Sequence, residues 1–349
     1  MKEQEKKIET VFISVYNKEK IDGLIKCLDS INVKIISTGG TEKYIKNLGV
    51  NVQPVEDLTD FPSILGGRVK TLHPKVFGGI LNRRQDLNDM HEIKKFGISN
   101  IDMVIVDLYP FEETVKDEKS KEQDIIEKID IGGVSLIRAA AKNFKNVFVV
   151  PCRSLFSEAT EILKKNNGKT TEKIRKVFAE KSFNLCSKYD SNISHWFNNE
   201  TPILTNNLNL NFSSSHTLRY GENPHQKGVF YGNMNSVFTQ IHGKEISYNN
   251  LLDIDSAINL ISDFDDTTFC VLKHNNPCGV ASKKPIIESW DKALEGDPIS
   301  AFGGVLITND EIDLETAQKI NNLFFEIIIA PKYNVESLKI LQSKKIELF

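Results

Sequence analysis

From Thr10 to about residue 150, short apolar runs alternate with segments whose apolar positions recur at helical spacing. Val11-Phe12-Ile13-Ser14-Val15 is followed by a helical pattern over 21–28, then Val33-Lys34-Ile35-Ile36, then a second helical pattern over 41–48. This alternation predicts βαβ units around a parallel sheet, with further strands at Met103-Val104-Ile105-Val106 and Val147-Phe148-Val149-Val150. In open sheets of this kind ligands bind beyond the carboxyl ends of the strands, so the polar residues that follow each run are the candidates for chemistry. Helical spacing resumes over 154–165 and 170–197, and a polar stretch through Thr201-Pro202 to Asn206-Asn207 places a domain boundary near residue 200. Past it, strands are expected at 268–272, 304–307 and 325–329, so the second part is also α/β.

A length of 349 residues accommodates two domains, each able to bury a core, here 1–200 and 201–349. A net charge of −3 supplies no field for nucleic acid or an acidic membrane surface, so both are unexpected partners. The five cysteines form no C-x-x-C pair, which predicts reduced thiols in a cytoplasmic protein, with neither a disulfide framework nor a zinc cage; no metal is expected. Met1-Lys2-Glu3-Gln4-Glu5-Lys6-Lys7 lacks the apolar run of a secretory signal, and no apolar run is long enough to span a bilayer.

The densest polar chemistry lies in Gly67-Arg68-Val69-Lys70-Thr71-Leu72-His73-Pro74-Lys75, a basic loop beside glycine that suits a phosphorylated small molecule and suits a solvated surface loop equally well. Ser37-Thr38-Gly39-Gly40-Thr41 runs straight from a strand into a helix, and its glycines and helix amino end make a phosphate cradle, although a plain N-cap would read similarly. Asp107-Leu108-Tyr109-Pro110-Phe111 puts a carboxylate and a phenol at the sheet edge. Asp130-Ile131-Gly132-Gly133 opens a helix that runs on to Lys142 and Asn143, where a lysine commonly complements the helix dipole.

Taken in order with Ser14 and Lys18, these segments resemble the bifunctional purine-biosynthesis family that combines aminoimidazole carboxamide ribotide (AICAR) transformylase with inosine monophosphate (IMP) cyclohydrolase, over essentially all of residues 10–200. The second part resembles the first half of that family's transformylase domain through Leu218-Arg219-Tyr220-Gly221-Glu222-Asn223-Pro224, Ser247-Tyr248-Asn249-Asn250-Leu251-Leu252-Asp253, Lys273-His274-Asn275-Asn276-Pro277-Cys278-Gly279 and Asp297-Pro298-Ile299-Ser300-Ala301-Phe302-Gly303. The family's later motifs are not in these 349 residues. Family members often carry Asn in place of Asp107, a departure beside the expected site.

The resemblance implies a methylglyoxal-synthase-like parallel sheet flanked by helices, plus the first half of a cytidine-deaminase-like α/β transformylase domain. It implies that Ser14, Lys18, Ser37, Gly39, Gly40, Thr41, Arg68, Thr71, Gly132 and Gly133 bind the ribotide, and that Lys70, Tyr109, Asp130 and Lys142 serve ring closure, which needs no cofactor. For formyl transfer it implies Lys273 and His274 as the catalytic pair, Arg219 and Tyr220 as nucleotide contacts, and 10-formyltetrahydrofolate as co-substrate. It further implies a homodimer. Because half a domain would leave the strand over 325–329 without partners, residues 201–349 are expected to be the less stable part, with little transformylase activity of their own. The competing readings are a regulatory nucleotide-binding module that performs no chemistry, and methylglyoxal synthase.

Overall fold

The computed structural model describes residues 5–200, 212, 214–343 and 347–348. The chain separates into two compact units, Met1–Asn209 and Leu210–Phe349. The polar stretch at 201–211, read above as a boundary, lies outside the described residues.

In the first unit the apolar runs form a five-stranded sheet, in the spatial order Gln53–Pro54, Lys34–Ser37, Thr10–Val15, Met103–Asp107, Phe148–Val150, with every neighbouring pair parallel. The two central strands are almost wholly buried, as continuous Val/Ile runs in a helix-covered parallel sheet must be. Helices Asp22–Ser30 and Phe156–Lys165 pack on one another, and Gly132–Lys142 packs with the long helix Glu172–Glu200. The Phe148 and Phe178 rings meet edge to face at 4.8 Å where that long helix crosses the last strand. The chain leaves Thr10–Val15 toward one edge and returns to build Met103–Asp107 on the other side, so the strand order reverses between these two neighbours. Their carboxyl ends pair Val15 with Asp107.

Arg175, in the first turn of the long helix, is 1% exposed. Its guanidinium donates to the carbonyls of Phe144 (2.8 Å), Lys145 (3.0 Å) and Thr170 (2.6 Å) and to the Thr170 hydroxyl (3.1 Å). It thereby satisfies carbonyls just beyond the end of the Gly132–Lys142 helix and fastens that helix to Glu172–Glu200.

The second unit holds a mixed five-stranded sheet in the order Asn276–Ser282, Thr268–Lys273, Gly304–Thr308, Phe325–Ile329, Glu347–Leu348. The first two pairings are antiparallel and the last two parallel. Phe325–Ile329 corrects the expectation of an unpartnered strand: it has neighbours on both edges, and Phe325, Ile327 and Ile328 are fully buried. Local completion of the sheet removes the argument that this strand leaves the unit exposed. The edge strand Asn276–Ser282 has no apolar run to announce it. Gly279 sits there because a Cβ would fall 1.8 Å from the Ala293 carbonyl oxygen, so only glycine lets helix Ile286–Gly296 lie so close. Among the described residues no helix is long and apolar enough to cross a membrane.

Arg175→Met should lower the unfolding free energy by about 3 kcal/mol, because it removes a buried guanidinium that donates to three carbonyls. Urea denaturation measures this; a loss below about 1 kcal/mol would show that water takes over those acceptors.

Candidate functional site

The reversal in strand order opens a cleft of about 680 Å³ at the carboxyl ends of the two central strands. Ser14, Val15 and Tyr16 enter it from one strand, and Asp107 and Tyr109 from the other. Loops carrying Arg68, Lys70 and Thr71, and Lys128 through Gly133, supply the remaining walls. The basic loop that sequence alone left undecided between site and surface therefore faces a cavity.

One end of the cleft is built for an anion. Helix Gly39–Asn47 begins there with Thr38 in the N-cap position, in extended conformation and making no side-chain cap. The first N–H groups of a helix have no intrahelical acceptor and carry the positive end of its dipole. The Lys70 ammonium lies 3.7 Å from where a Cβ of Gly39 would sit, and the Lys18 ammonium 3.8 Å from the same position on Gly40, so two cations flank this helix end. Burial pulls the Lys18 pKa down, opposed by Asp107 and reinforced by Lys70, a tension that a bound dianion would relieve. Lys18 Nζ donates to the Tyr16 carbonyl at 2.6 Å.

The hydroxyls of the cradle divide between two tasks. Ser37, fully buried, donates to the Ile13 carbonyl at 2.7 Å, so its hydroxyl is committed to the sheet and does not line the cleft; this corrects its expected role as a ligand contact. Thr41 donates to the Val15 carbonyl at 2.9 Å and accepts the Val15 N–H at 3.2 Å, closing the end of the strand while still lining the cleft. Thr38, absent from the expected contacts, is 3% exposed, lines the cleft, and its Oγ1 has no hydrogen-bond partner. A buried hydroxyl without a partner is costly unless a ligand completes it. The N-cap position of Thr38 was the available signal.

The other end of the cleft is organised by Asp130. Its Oδ1 accepts the Gly133 N–H at 2.7 Å, and it also accepts the Tyr109 backbone N–H. Burial nevertheless pushes its pKa up, outweighing those two bonds and the nearby Lys70 charge. Gly133 cannot be larger: a Cβ would sit 2.6 Å from Asp130 Oδ2 and 2.8 Å from Leu108 Cδ2. A Cβ on Gly132 would lie 3.1 Å from Thr71 Oγ1, which brings the basic loop against this helix start. Arg68 and Glu127 form an ion pair across the same two loops, holding the Glu127 carboxyl below its ordinary range.

One further expectation changes. Lys142 does not line the cleft: it ends the helix that Gly132 begins, about 15 Å along the axis at 1.5 Å per residue, and is exposed there. Its position suits the negative end of the helix dipole. The His73 Nδ1 accepts the Lys75 N–H at 3.2 Å and caps helix Pro74–Leu81, so the imidazole serves a helix end. Asp107, whose pKa burial also raises, accepts from Asn17 N (3.0 Å) and Arg153 N (3.4 Å).

In the second unit Lys273 and His274 lie at the tip of the hairpin joining Thr268–Lys273 to Asn276–Ser282. His274 and Asn275 both have positive φ, 50° and 63°, in the manner of a two-residue hairpin turn. Asp253 Oδ1 accepts the Asn275 N–H at 2.9 Å and Lys273 Nζ donates to the Phe302 carbonyl at 2.7 Å, so the tip is pinned from two sides. The Arg219 guanidinium lies 5.0 Å from the centre of the Tyr220 ring.

The sequence profile of the AICARFT/IMPCHase bienzyme matches residues 140–348, and that of the MGS-like domain matches residues 5–135. The chain belongs to the AICARFT/IMPCHase bienzyme family. The "Bifunctional purine biosynthesis protein PurH" of Bacteroides thetaiotaomicron is 52% identical over 343 residues, which cover 98% of this chain and 67% of that protein. The proteins of the same name from Petrotoga mobilis and Aquifex aeolicus are 44% and 46% identical, over 97% and 95% of this chain and 68% and 67% of theirs. The chain thus spans about two thirds of the length of these relatives. The two profiles meet inside helix Gly132–Lys142, whereas the compact units part at Asn209 and Leu210; the first unit keeps the long helix because its core side packs on the parallel sheet.

Thr38→Val, which removes the unpartnered hydroxyl at constant shape, should leave the melting temperature equal to or above that of the unchanged protein while weakening a 5-phosphoribosyl ligand about tenfold. Calorimetric titration and thermal unfolding of the same samples check both halves. Unchanged affinity would remove Thr38 from the cradle.

Proposed function

We propose that the first unit closes the ring of formyl-AICAR ribotide to give IMP. The observation that carries this reading is one cleft with a two-cation helix terminus at one end and a buried, backbone-held carboxylate beside a phenol at the other. The ribotide phosphate takes the helix end, held by the Gly39 and Gly40 backbone, Thr38, Lys18 and Lys70, with Ser14, Thr41, Arg68 and Thr71 lining the path to the base.

Ring closure is intramolecular, so the protein has mainly to hold the reactive rotamer and stabilise developing charge. The carboxamide nitrogen attacks the formyl carbon, forming a C–N bond as an N–H proton passes to Asp130. Asp130 hands that proton to the formyl oxygen, giving a carbinolamine hydroxyl; the carboxylate then takes a ring N–H proton and delivers it to that hydroxyl, so that the C–O bond breaks, water leaves and the ring C=N bond forms. A raised pKa suits a group that both takes and returns a proton. The Tyr109 phenol faces the formyl oxygen as it gains charge, and Lys70, whose ammonium sits at the phosphate end, adds its field from there. The Gly132 N–H joins them, since that of Gly133 is held by Asp130. Lys142 has no part in this scheme.

For the second unit we propose the formyl transfer from 10-formyltetrahydrofolate to AICAR ribotide. His274 takes the amine proton, Lys273 stabilises the transferring formyl group, and Arg219 and Tyr220 contact the nucleotide. Residues 201–349 hold only part of that site in our reading, so these 349 residues alone transfer formyl groups poorly. We further propose a cytoplasmic homodimer.

Two assays on the purified chain separate the activities: formyl-AICAR ribotide alone, and AICAR ribotide with 10-formyltetrahydrofolate. IMP from the first only is expected; IMP from neither, with ribotide binding intact, would make the chain a non-catalytic nucleotide-binding module. In the first assay Asp130→Asn should reduce turnover about 10³-fold while retaining IMP binding. As the base form of Asp130 is lost on protonation, turnover of the unchanged protein should fall with decreasing pH at a value above the ordinary aspartate range. Gly133→Ala should displace Asp130, lowering turnover about 100-fold and stability by about 1–3 kcal/mol. Wild-type kinetics in either variant would overturn the assignment of Asp130.

A further inference from the structure

Tyr16 and Tyr109 stand edge to face, with ring centres 5.4 Å apart and planes at 69°. Both also line a second cleft of about 520 Å³, whose other walls include Phe111, Arg153, Lys188 and Tyr189. The ring pair therefore has open space on either side and is 41% and 37% exposed, so core packing does not order it. The Lys128 ammonium does touch both rings, at 5.0 Å from the centre of Tyr16 and 5.7 Å from that of Tyr109. Its acidic neighbour in the chain, Glu127, is engaged by Arg68. The backbone that carries Lys128 is itself anchored: the Tyr189 hydroxyl donates to the Lys128 carbonyl at 2.5 Å and accepts the Asp130 N–H at 3.0 Å. One residue of the long helix thus holds both the carboxylate segment and the cation above the rings.

We infer that Lys128 is a positioning residue for the ring closure proposed above, its ammonium clamping Tyr16 and Tyr109 into a single wall so that the Tyr109 phenol is held facing Asp130 and the substrate. The inference rests on that reading for its consequence in turnover, and on the ring geometry alone for its structural half. A cation over two ring faces is attracted by both quadrupoles, and it restrains each ring more than the edge contact between them can. Tyr16 is then the second support of the clamp, and arginine, which stacks on aromatic faces, should replace lysine where an uncharged chain of similar length should not.

The test pairs a chemical readout with a kinetic one on the full chain. Tyrosines are nitrated with tetranitromethane and mapped by peptide mass, with Tyr44, whose hydroxyl is bonded to Asp22 at 2.6 Å, as the internal reference. In Lys128→Met, nitration of Tyr16 and Tyr109 should rise about fivefold relative to Tyr44, and kcat should fall about tenfold with KM within about twofold. Lys128→Arg should stay within about threefold of the unchanged protein in both readouts. Unchanged nitration and kcat in Lys128→Met, an arginine variant as impaired as the methionine one, or a loss confined to KM would each overturn the clamp. Increased nitration, with no IMP formed by any protein including the unchanged one, would overturn the ring-closing reading and Lys128's part in it, leaving only the ring contact.

Discussion

The reversal of strand order between Thr10–Val15 and Met103–Asp107 is the constraint on which the site depends. Two parallel neighbours must both end on the same side of the sheet, and their chains leave in opposite directions, so helices cannot cover the gap between them. Val15 pairs with Asp107 at that edge, and Tyr16 and Tyr109 just beyond the pair line the cleft. The buried Val/Ile strands fix the crevice to within the rigidity of a packed core, and the loops that line it need only be short.

The site is costly to the fold. It keeps a hydroxyl without a partner at Thr38 and raised carboxyl groups at Asp107 and Asp130, each of which water or a smaller apolar side chain would accommodate more comfortably. The offsetting contributions come from elsewhere in the same unit: the continuous core of the parallel sheet, and Arg175, which ties two helices together through carbonyls. Tyr189 belongs to this supporting set as well, since its hydroxyl couples the long helix to the backbone of Lys128 and Asp130.

The alternation of apolar runs and helical spacing disclosed seven of the ten strands in the two five-stranded sheets, because a strand buried on both faces has no polar face to confuse the pattern, while Gln53–Pro54 and Glu347–Leu348 are too short to register. It missed Asn276–Ser282, an edge strand with Pro277, Cys278 and Gly279 near its start, whose place comes from pairing with Thr268–Lys273 and from the approach of a helix to Gly279. Among the candidate site residues, Lys18, Lys70, Thr71, Tyr109 and Asp130 line one cleft. Ser37 and Lys142 were equally plausible as letters in a motif. A side chain on a strand or helix can turn into the sheet or lie nearly three turns away, and a motif records neither.

By itself, then, the sequence determined the alternating βαβ architecture and the loops in which chemistry could reside, through periodicity, helix starts and glycine, which act over a few neighbouring residues. Only the tertiary structure decided which of those polar groups face the cleft and which are consumed in holding it together. It turned Ser37 to the Ile13 carbonyl, His73 to a helix end and Lys142 to the far end of a helix, and it left Thr38 unpartnered and Lys128 over two rings. The reason is that each polar group takes its nearest geometrically available partner, and for a buried group that partner is set by contacts between segments far apart in the chain.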